Sequence, residues 1–268
     1  MELTAKVIQG DCLELMRGLP DQSIGMVLAD LPYGVTACHW DKVIDLAAMW
    51  VQFKRLIQPK RACVFTATQP FTTDLICSNR DWFKYSMVWA KSHSSGHLTC
   101  KVKPLQQHED ILIFGEEGAL LYNPQTTKRR PWEKVGKRSK LTTCYNKANV
   151  KSERTIAEDE AYPRSITYFP HDLDRGIHPT QKPVALFEYL IRTYTNPGDV
   201  VLDPTAGSMT TAIAAMNTGR GYVCIEKDPD EYRKGLWRVQ AHIAKPQQIS
   251  LLEQTPTLPT EAQIQLSL

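Results

Sequence analysis

No apolar run in this 268-residue chain approaches the ~20 residues that a membrane-spanning helix needs, so no span and no membrane partner are expected. Met1 to Gly10 has no basic cap ahead of an apolar core, so no secretory leader is expected. No C-x-x-C pair occurs. The seven cysteines, Cys12, Cys38, Cys63, Cys77, Cys100, Cys144 and Cys224, are odd in number and scattered, which suits reduced, buried thiols in a cytoplasmic protein. His93, His97, Cys100 and His108 lie close together but match no standard zinc spacing, so a zinc site is the lesser alternative and no metal is expected. A full G-x-G-x-x-G fingerprint is also missing, which argues against a dinucleotide and its dehydrogenase chemistry. One-sided charge is lacking too. Thirty-two Lys and Arg face 29 Asp and Glu, a net +3 that names no partner until its distribution is considered.

What is present is an ordinary globular composition, 42% hydrophobic and 23% charged, which excludes a wholly disordered or fibrous chain. Five short apolar runs end in a small or acidic residue: Val7–Asp11, Ile24–Asp30, Ala62–Thr66, Val200–Asp203 and Tyr222–Glu226. Near-continuous runs of this kind suit strands buried on both faces of a parallel sheet. Helical spacing marks Ile44–Leu56, Pro183–Tyr194, Ser208–Asn217 and Pro229–Ala244. Strand followed by helix, repeated, predicts a doubly wound α/β sheet. Trp82–Ala90 and Glu109–Gly115 read as two further strands on an antiparallel edge.

The middle differs. Between Thr126 and Arg154 lie ten basic residues, Lys128, Arg129, Arg130, Lys134, Lys137, Arg138, Lys140, Lys147, Lys151 and Arg154, opposed only by Glu133 and Glu153. Because the whole chain is only +3, the remainder is net negative. Concentrated positive charge with Tyr122, Trp132 and Tyr145 interleaved suits phosphate contact and base stacking, and a solvated insertion is the bland alternative. Pro246 to Leu268 reads as a terminal extension without chemistry.

In such sheets ligands bind beyond the carboxyl ends of the strands. Asp11, Asp30, Asp203 and Glu226 are all placed there. Any one could cap the following helix, but four acids suit a ligand rich in donors, such as ribose hydroxyls and an adenine amine. Asp203-Pro204-Thr205-Ala206-Gly207-Ser208 joins a strand to a helix through small residues. Glu226 follows at the spacing usual for a ribose ligand. The sharpest motif is Asp30-Leu31-Pro32-Tyr33, in which a carboxylate and a backbone carbonyl can accept from an amine while an aromatic ring stacks on a flat partner.

Asp30-Leu31-Pro32-Tyr33 resembles the [D/N/S]-P-P-[Y/F] motif of the amino-group DNA methyltransferases that use S-adenosylmethionine. Gly10-Asp11-Cys12 with Leu19-Pro20-Asp21-Gln22-Ser23-Ile24 resembles the family's lead-in, and His178-Pro179-Thr180-Gln181-Lys182-Pro183 resembles its H-P-T-Q/E-K-P segment. Val201 to Thr211 resembles the family's cofactor loop, and Gly221 to Glu226 its G-x-x-x-I-E strand. The motif order is that of the beta-type permutation. The resemblance implies a Rossmann-like methyltransferase sheet, with a catalytic half over 1–115, an inserted target-recognition region over 116–170, a cofactor-binding half over 171–245 and an extension over 246–268. Asp30, Leu31, Pro32 and Tyr33 would be catalytic. Asp11, Cys12, Asp30, His178, Lys182, Asp203 to Ser208, Glu226 and Lys227 would bind the cofactor, with Asp11 on its adenine, Glu226 on its ribose, and Lys182 and the loop at its methionine end. Lys128, Arg129, Arg130, Lys134, Lys137, Arg138 and Lys140 would contact double-stranded DNA. Relatives often pair, so a homodimer stays open. The setting implied is the cytoplasm of a bacterial or phage-infected cell, in restriction–modification, regulation or phage DNA protection. An acid at the motif's first position implies adenine N6 as the target. Cytosine N4, an RNA or protein-glutamine substrate, and a DNA-binding relative without activity are the alternatives. Three positions depart from the pattern: Leu31 for the first proline, Thr205 for an aromatic and Met209 for a glycine.

Overall fold

The computed structural model describes residues 3–34, 42–128, 159–171 and 181–244. β1 (Ala5–Gln9) leads into a short helix α1 (Cys12–Met16), β2 (Met26–Asp30) into α2 (Leu46–Leu56), and β3 (Cys63–Ala67) into α3 (Phe71–Ser78). A long hairpin follows, β4 (Phe83–Ser95) and β5 (Gln106–Phe114), with a single 3-10 turn at His97–Thr99 between its strands. β6 (Thr127–Lys128) and β7 (Glu160–Ala161) pair with each other, and β8 (Ile166–Tyr168) precedes α4 (Val184–Tyr194). β9 (Val200–Asp203), α5 (Thr210–Asn217), β10 (Gly221–Glu226) and α6 (Pro229–Ala244) come last.

One sheet has the order β1-β10-β9-β2-β3-β5-β4-β8. Its neighbours are parallel except β5, which runs antiparallel to both β3 and β4. This is the expected doubly wound sheet with an antiparallel element. The edge itself is different, because β8 adds a parallel strand outside β4. Three residues with Ile166 and Tyr168 exposed give too short a pattern to read from sequence.

Alternation along the strands divides the core into two faces. On one, Met26, Leu28, Val64, Ile111, Ile113 and Val201 pack beneath α4, α5 and α6. On the other, Val27, Ala29, Cys63, Phe65, Leu112 and Leu202 pack beneath α1, α2 and α3. Helix α4 presents Leu186, Leu190 and Ile191 with no exposed surface, each stabilising the fold by roughly 1.5–3 kcal/mol. In α2, Met49, Trp50, Phe53 and Leu56 make the matching stripe, capped at its start by Asp45, whose Oδ1 accepts from the Ala48 amide at 3.1 Å.

The first strand corrects the sequence reading. It stops at Gln9, and Asp11 is instead the N-cap of α1, with Oδ1 accepting from the Leu13 amide at 2.9 Å. A lone apolar run does not distinguish a strand-ending acid from the cap of the next helix, whereas amide donors two and three residues ahead do.

The site lies where the winding reverses. β9 and β2 are neighbours, with Met26 opposite Val201 and Val27 opposite Leu202. The helix after β9 covers one face and the helix after β2 the other, so the chain diverges above their carboxyl ends. That rim carries Asp203 from β9 and Asp30 from β2, with Glu226 of β10 on one flank and Thr66 of β3 on the other.

Candidate active site

Asp30 terminates β2 and is surrounded by donors. Thr66 Oγ1 donates to its Oδ1 at 2.6 Å, the Tyr33 hydroxyl donates to the same oxygen, and Lys182 Nζ lies 2.8 Å from Oδ2. Lys182 also lies 3.1 Å from Glu109 Oε2, and Lys91 ion-pairs with Oε1 of the same glutamate. The side chains of Lys182, Glu109 and Lys91 are each at most 10% exposed, against 28% for Asp30, so the cluster opens to solvent at the aspartate. Two buried lysines and two acids balance in charge, as buried ions must.

Burial alone would pull the Lys182 ammonium down, but Asp30 and Glu109 outweigh it and hold its pKa above that of an ordinary lysine. Burial would likewise raise Glu109, yet Lys182 and Lys91 hold its carboxyl below the usual range. The Tyr33 hydroxyl is pushed up by burial, then by Asp30 and Glu109, so it stays a neutral donor. Its ring stacks on Phe71 with centroids 5.2 Å apart, and Lys182 Nζ lies 5.8 Å from the ring centre. Leu31, which replaces the expected proline, is 3% exposed and belongs to the core on the α1–α3 face of the sheet, so a buried side chain anchors the turn there.

Sequence reasoning named Asp30, Tyr33 and Lys182 but missed Thr66, Lys91 and Glu109. None of the three belongs to a local motif. They arrive because β5 pairs with β3 and β4, setting Thr66 opposite Ile111 and Trp89 opposite Glu109. Two acids directly ahead of an apolar run, Glu109-Asp110 before Ile111-Leu112-Ile113-Phe114, were the one available signal.

Across the reversal lies the turn from Asp203 to Ser208. Asp203 is 3% exposed; its Oδ1 accepts from the Thr205 amide at 3.1 Å and its Oδ2 from Thr211 Oγ1. Burial pushes its carboxyl up to about 7, against the opposing hydrogen bonds and with Asp30 and Glu226 adding to the rise. The Ala206 amide donates to the Ile225 carbonyl at 2.9 Å and the Gly207 amide to Glu226 Oε2 at 2.8 Å, tying the turn to β10. The Asp228 amide takes the other oxygen of Glu226 at 2.8 Å. Burial raises the Glu226 carboxyl, opposed by those amides. Thr205 Oγ1 donates to the Asp30 carbonyl at 3.3 Å, linking this turn to the one that Asp30 begins.

Met209 has φ +59, the left-handed region that suits the glycine it replaces. Its side chain is fully buried and packs toward α6, where a Cβ added at Gly235 would meet Met209 Cγ at 2.5 Å. It therefore occupies core space between α5 and α6. Asp11 Oδ2 pairs with Lys227 at 3.0 Å, which first among its causes lowers the Asp11 carboxyl; neighbouring Cys12 is buried and its thiol is pushed up to about 11.

Two groups thus emerge, one around Asp30 and one along Asp203 to Ser208 with Glu226. Lys182, expected with the second, lies in the first. Lys128 is exposed and pairs with Asp159 at 3.3 Å. Arg129, Arg130, Lys134, Lys137, Arg138, Lys140 and His178 lie outside the described residues. Among the described residues no three His, Cys, Asp or Glu gather as a metal site; His93 Nδ1 lies 2.9 Å from Ser92 Oγ and His97 Nε2 lies 3.2 Å from the Ser94 carbonyl. No described helix is long and apolar enough to cross a membrane.

The carboxylate acceptors fit a ligand that donates from ribose hydroxyls and amines, and at Gly207, φ +45, nothing lies within 4 Å of where a Cβ would stand. A family model described as DNA methylase, of the N6/N4 class, matches residues 24–235. The chain is 28% identical over 254 residues to the DNA adenine methyltransferase YhdJ of Escherichia coli, covering 87% of this chain and 82% of that one. It is 24% identical over 296 residues to the type II methyltransferase M.HinfI of Haemophilus influenzae, covering 97% and 76%. Among solved structures, M1.HpyAVI in complex with SAM shares the fold at TM-score 0.62 and 21% identity, covering 88% of this chain and 99% of that one. The cytosine-N4-specific PvuII DNA methyltransferase does so at TM-score 0.62 and 16% identity, covering 88% and 87%.

Proposed function

Because this chain belongs to the DNA methylase family of the N6/N4 class, we propose that it methylates the N6 amine of an adenine flipped out of duplex DNA. S-adenosylmethionine, the family's cofactor, supplies the methyl group when bound. The single observation that carries the reading is Asp30, a partly exposed carboxylate set among donors at the sheet's reversal, its carbonyl bonded to Thr205 of the Asp203–Ser208 strand-to-helix loop. Adenine is preferred to cytosine because the motif opens with an acid.

An exocyclic amine is a poor nucleophile because its lone pair is delocalised into the ring. Asp30 and the Leu31 carbonyl each accept one amine hydrogen, which favours a pyramidal nitrogen with its lone pair aimed at the methyl donor. Positioning and electrostatics do most of the work. Asp30 takes the proton only as the nitrogen becomes cationic. In the structure Oδ1 of Asp30 accepts from Tyr33 and Thr66, and Oδ2 faces Lys182. The incoming amine therefore replaces a donor. Tyr33 is the one to move, giving up its hydrogen bond to Asp30 as its ring stacks on the base. Lys182 keeps Glu109 as its partner throughout.

Glu226, Asp203 and the turn between them hold the nucleoside and methionine parts of the cofactor, with Asp11 and Lys227 at its outer side. The segment between β5 and β8, with its basic run, grips DNA phosphates and reads base edges.

The test is detection of modified bases in DNA from cells expressing the protein or its Asp30→Ala variant. N6-methyladenine confined to the wild type is expected. N4-methylcytosine in its place would move the target to cytosine, and near-normal modification by Asp30→Ala would sink the assigned mechanism.

A further inference from the structure

The hairpin that brings Lys91 and Glu109 to the active site continues beyond it. β4 runs in the same direction as β3, so its far end and the start of β5 project past the rim that carries Asp30. Every residue from Ser95 to Leu105 is exposed. Leu98 is 104% exposed and Val102 83%. Single exposed apolar residues are common, but these two are held in one folded tip. Gly96, φ +88, opens the turn; the Thr99 amide donates to the Gly96 carbonyl at 3.0 Å, and the Val102 and Lys103 amides donate to the Thr99 carbonyl at 3.0 and 3.1 Å. Between Ala90 and Glu109 the sequence carries Lys91, Lys101 and Lys103, three histidines and no acid.

We propose that this tip enters the DNA duplex beside the target base. Leu98 and Val102 fill the space that the flipped base leaves, and Lys101 and Lys103 hold the flanking phosphates. The proposal rests on the flipped-base reading above and adds the element that stabilises the flipped state. Extruding a base forfeits its stacking and pairing. An apolar side chain inserted between the neighbouring bases restores contact on both sides, as apolar wedges do elsewhere. The geometry suits this because the hairpin's base is tied to Asp30 through Lys91, Glu109 and Lys182, so the tip extends from the same rim that carries the acid.

The experiment compares methylation of two duplexes carrying the site read from modified cellular DNA, one with the target base paired and one with it mispaired, which makes extrusion easier. Leu98→Ala/Val102→Ala should lose at least tenfold in rate on the paired duplex and stay within about twofold of wild type on the mispaired one. Equal rates on both, or an equal loss on both, would overturn the wedge. Lys101→Ala/Lys103→Ala should reduce the slope of log affinity against log salt by about 2, near 0.9 per phosphate contact; an unchanged slope overturns the phosphate assignment. All four side chains are exposed, so the variants should match wild type in thermal unfolding. A wild-type protein inactive on both duplexes would overturn the underlying reading, a result separate from any difference among variants.

Discussion

Thr205 stands where the family pattern has an aromatic, and its two hydrogen bonds join the halves of the site. Its amide meets Asp203 Oδ1 and its hydroxyl meets the Asp30 carbonyl. That carbonyl shares a peptide plane with the Leu31 amide, so the hydroxyl helps set the Asp30–Tyr33 turn proposed as catalytic. A neutral hydrogen bond is worth about 0.5–1.5 kcal/mol, so Thr205→Val should lower kcat by about two- to tenfold with little change in KM for DNA. Thr205→Ser should restore it, and a Ser variant as slow as Val would remove the hydroxyl from the argument. Asp203 supplies a second prediction. An ordinary aspartate titrates near 3.8, whereas burial raises this one to about 7 in the folded protein. The folded state therefore binds the proton more tightly, and the resulting stability is present in full below about pH 4 and is lost as pH rises through 7. Asp203→Asn has no proton to lose. Relative to wild type, its urea-unfolding free energy should climb between pH 4 and pH 8 by up to about 4 kcal/mol. A difference constant with pH would show that Asp203 titrates normally.

At the scale of elements, the β9–α5 turn depends on α6. Met209 adopts a glycine-like conformation, and its side chain fills the space that Gly235 leaves open. Gly235→Ala would place a Cβ 2.5 Å from Met209 Cγ and 2.7 Å from the Gly207 carbonyl. Overpacking of this kind costs typically 1–3 kcal/mol. Thermal unfolding should show the loss, and adding Met209→Gly should recover part of it, since only the contact with Gly207 would then remain. No single stretch of sequence reveals this pairing, because Met209 caps the start of α5 whereas Gly235 lies within α6. What was legible followed the same logic. Strands of four to six near-continuous apolar residues and helices of two turns or more carry enough periodicity to be read, as β2, β9, α2 and α4 were. α1, α3 and β8 are too short or too mixed. Asp30, Tyr33 and Lys182 were legible because they belong to local motifs. Thr66, Lys91 and Glu109 were not, because strand order, with β5 between β3 and β4, is decided by packing rather than by adjacency in the chain.

Over the whole molecule, charge falls into two groups for which the proposed function predicts different responses to salt. The four ions Asp30, Lys182, Glu109 and Lys91 are balanced and mostly buried, so bulk ions screen them little. The basic run from Lys128 to Arg154 has no comparable set of acids in its sequence, and its one described member, Lys128, is exposed. A gain from such charge comes chiefly through release of counterions from DNA. Replacing Arg129 and Arg130 by alanine should therefore weaken DNA binding and reduce its salt slope by about 2, while leaving thermal stability near wild type. Glu109→Gln should do the reverse. It leaves Lys91 and Lys182 short of an anion in a buried site, a change that costs about 3–5 kcal/mol of folding stability when one partner of a buried pair is removed. That loss should be nearly the same at low and high salt, and the salt slope of DNA binding should not move, because Glu109 faces lysines rather than phosphate. Measuring both variants by thermal unfolding and by salt-dependent DNA binding separates the two uses of charge. A salt-sensitive stability loss in Glu109→Gln would mean that solvent also reaches the Glu109 end of the cluster, and an unmoved salt slope in the arginine variant would place the DNA-binding surface elsewhere on the chain.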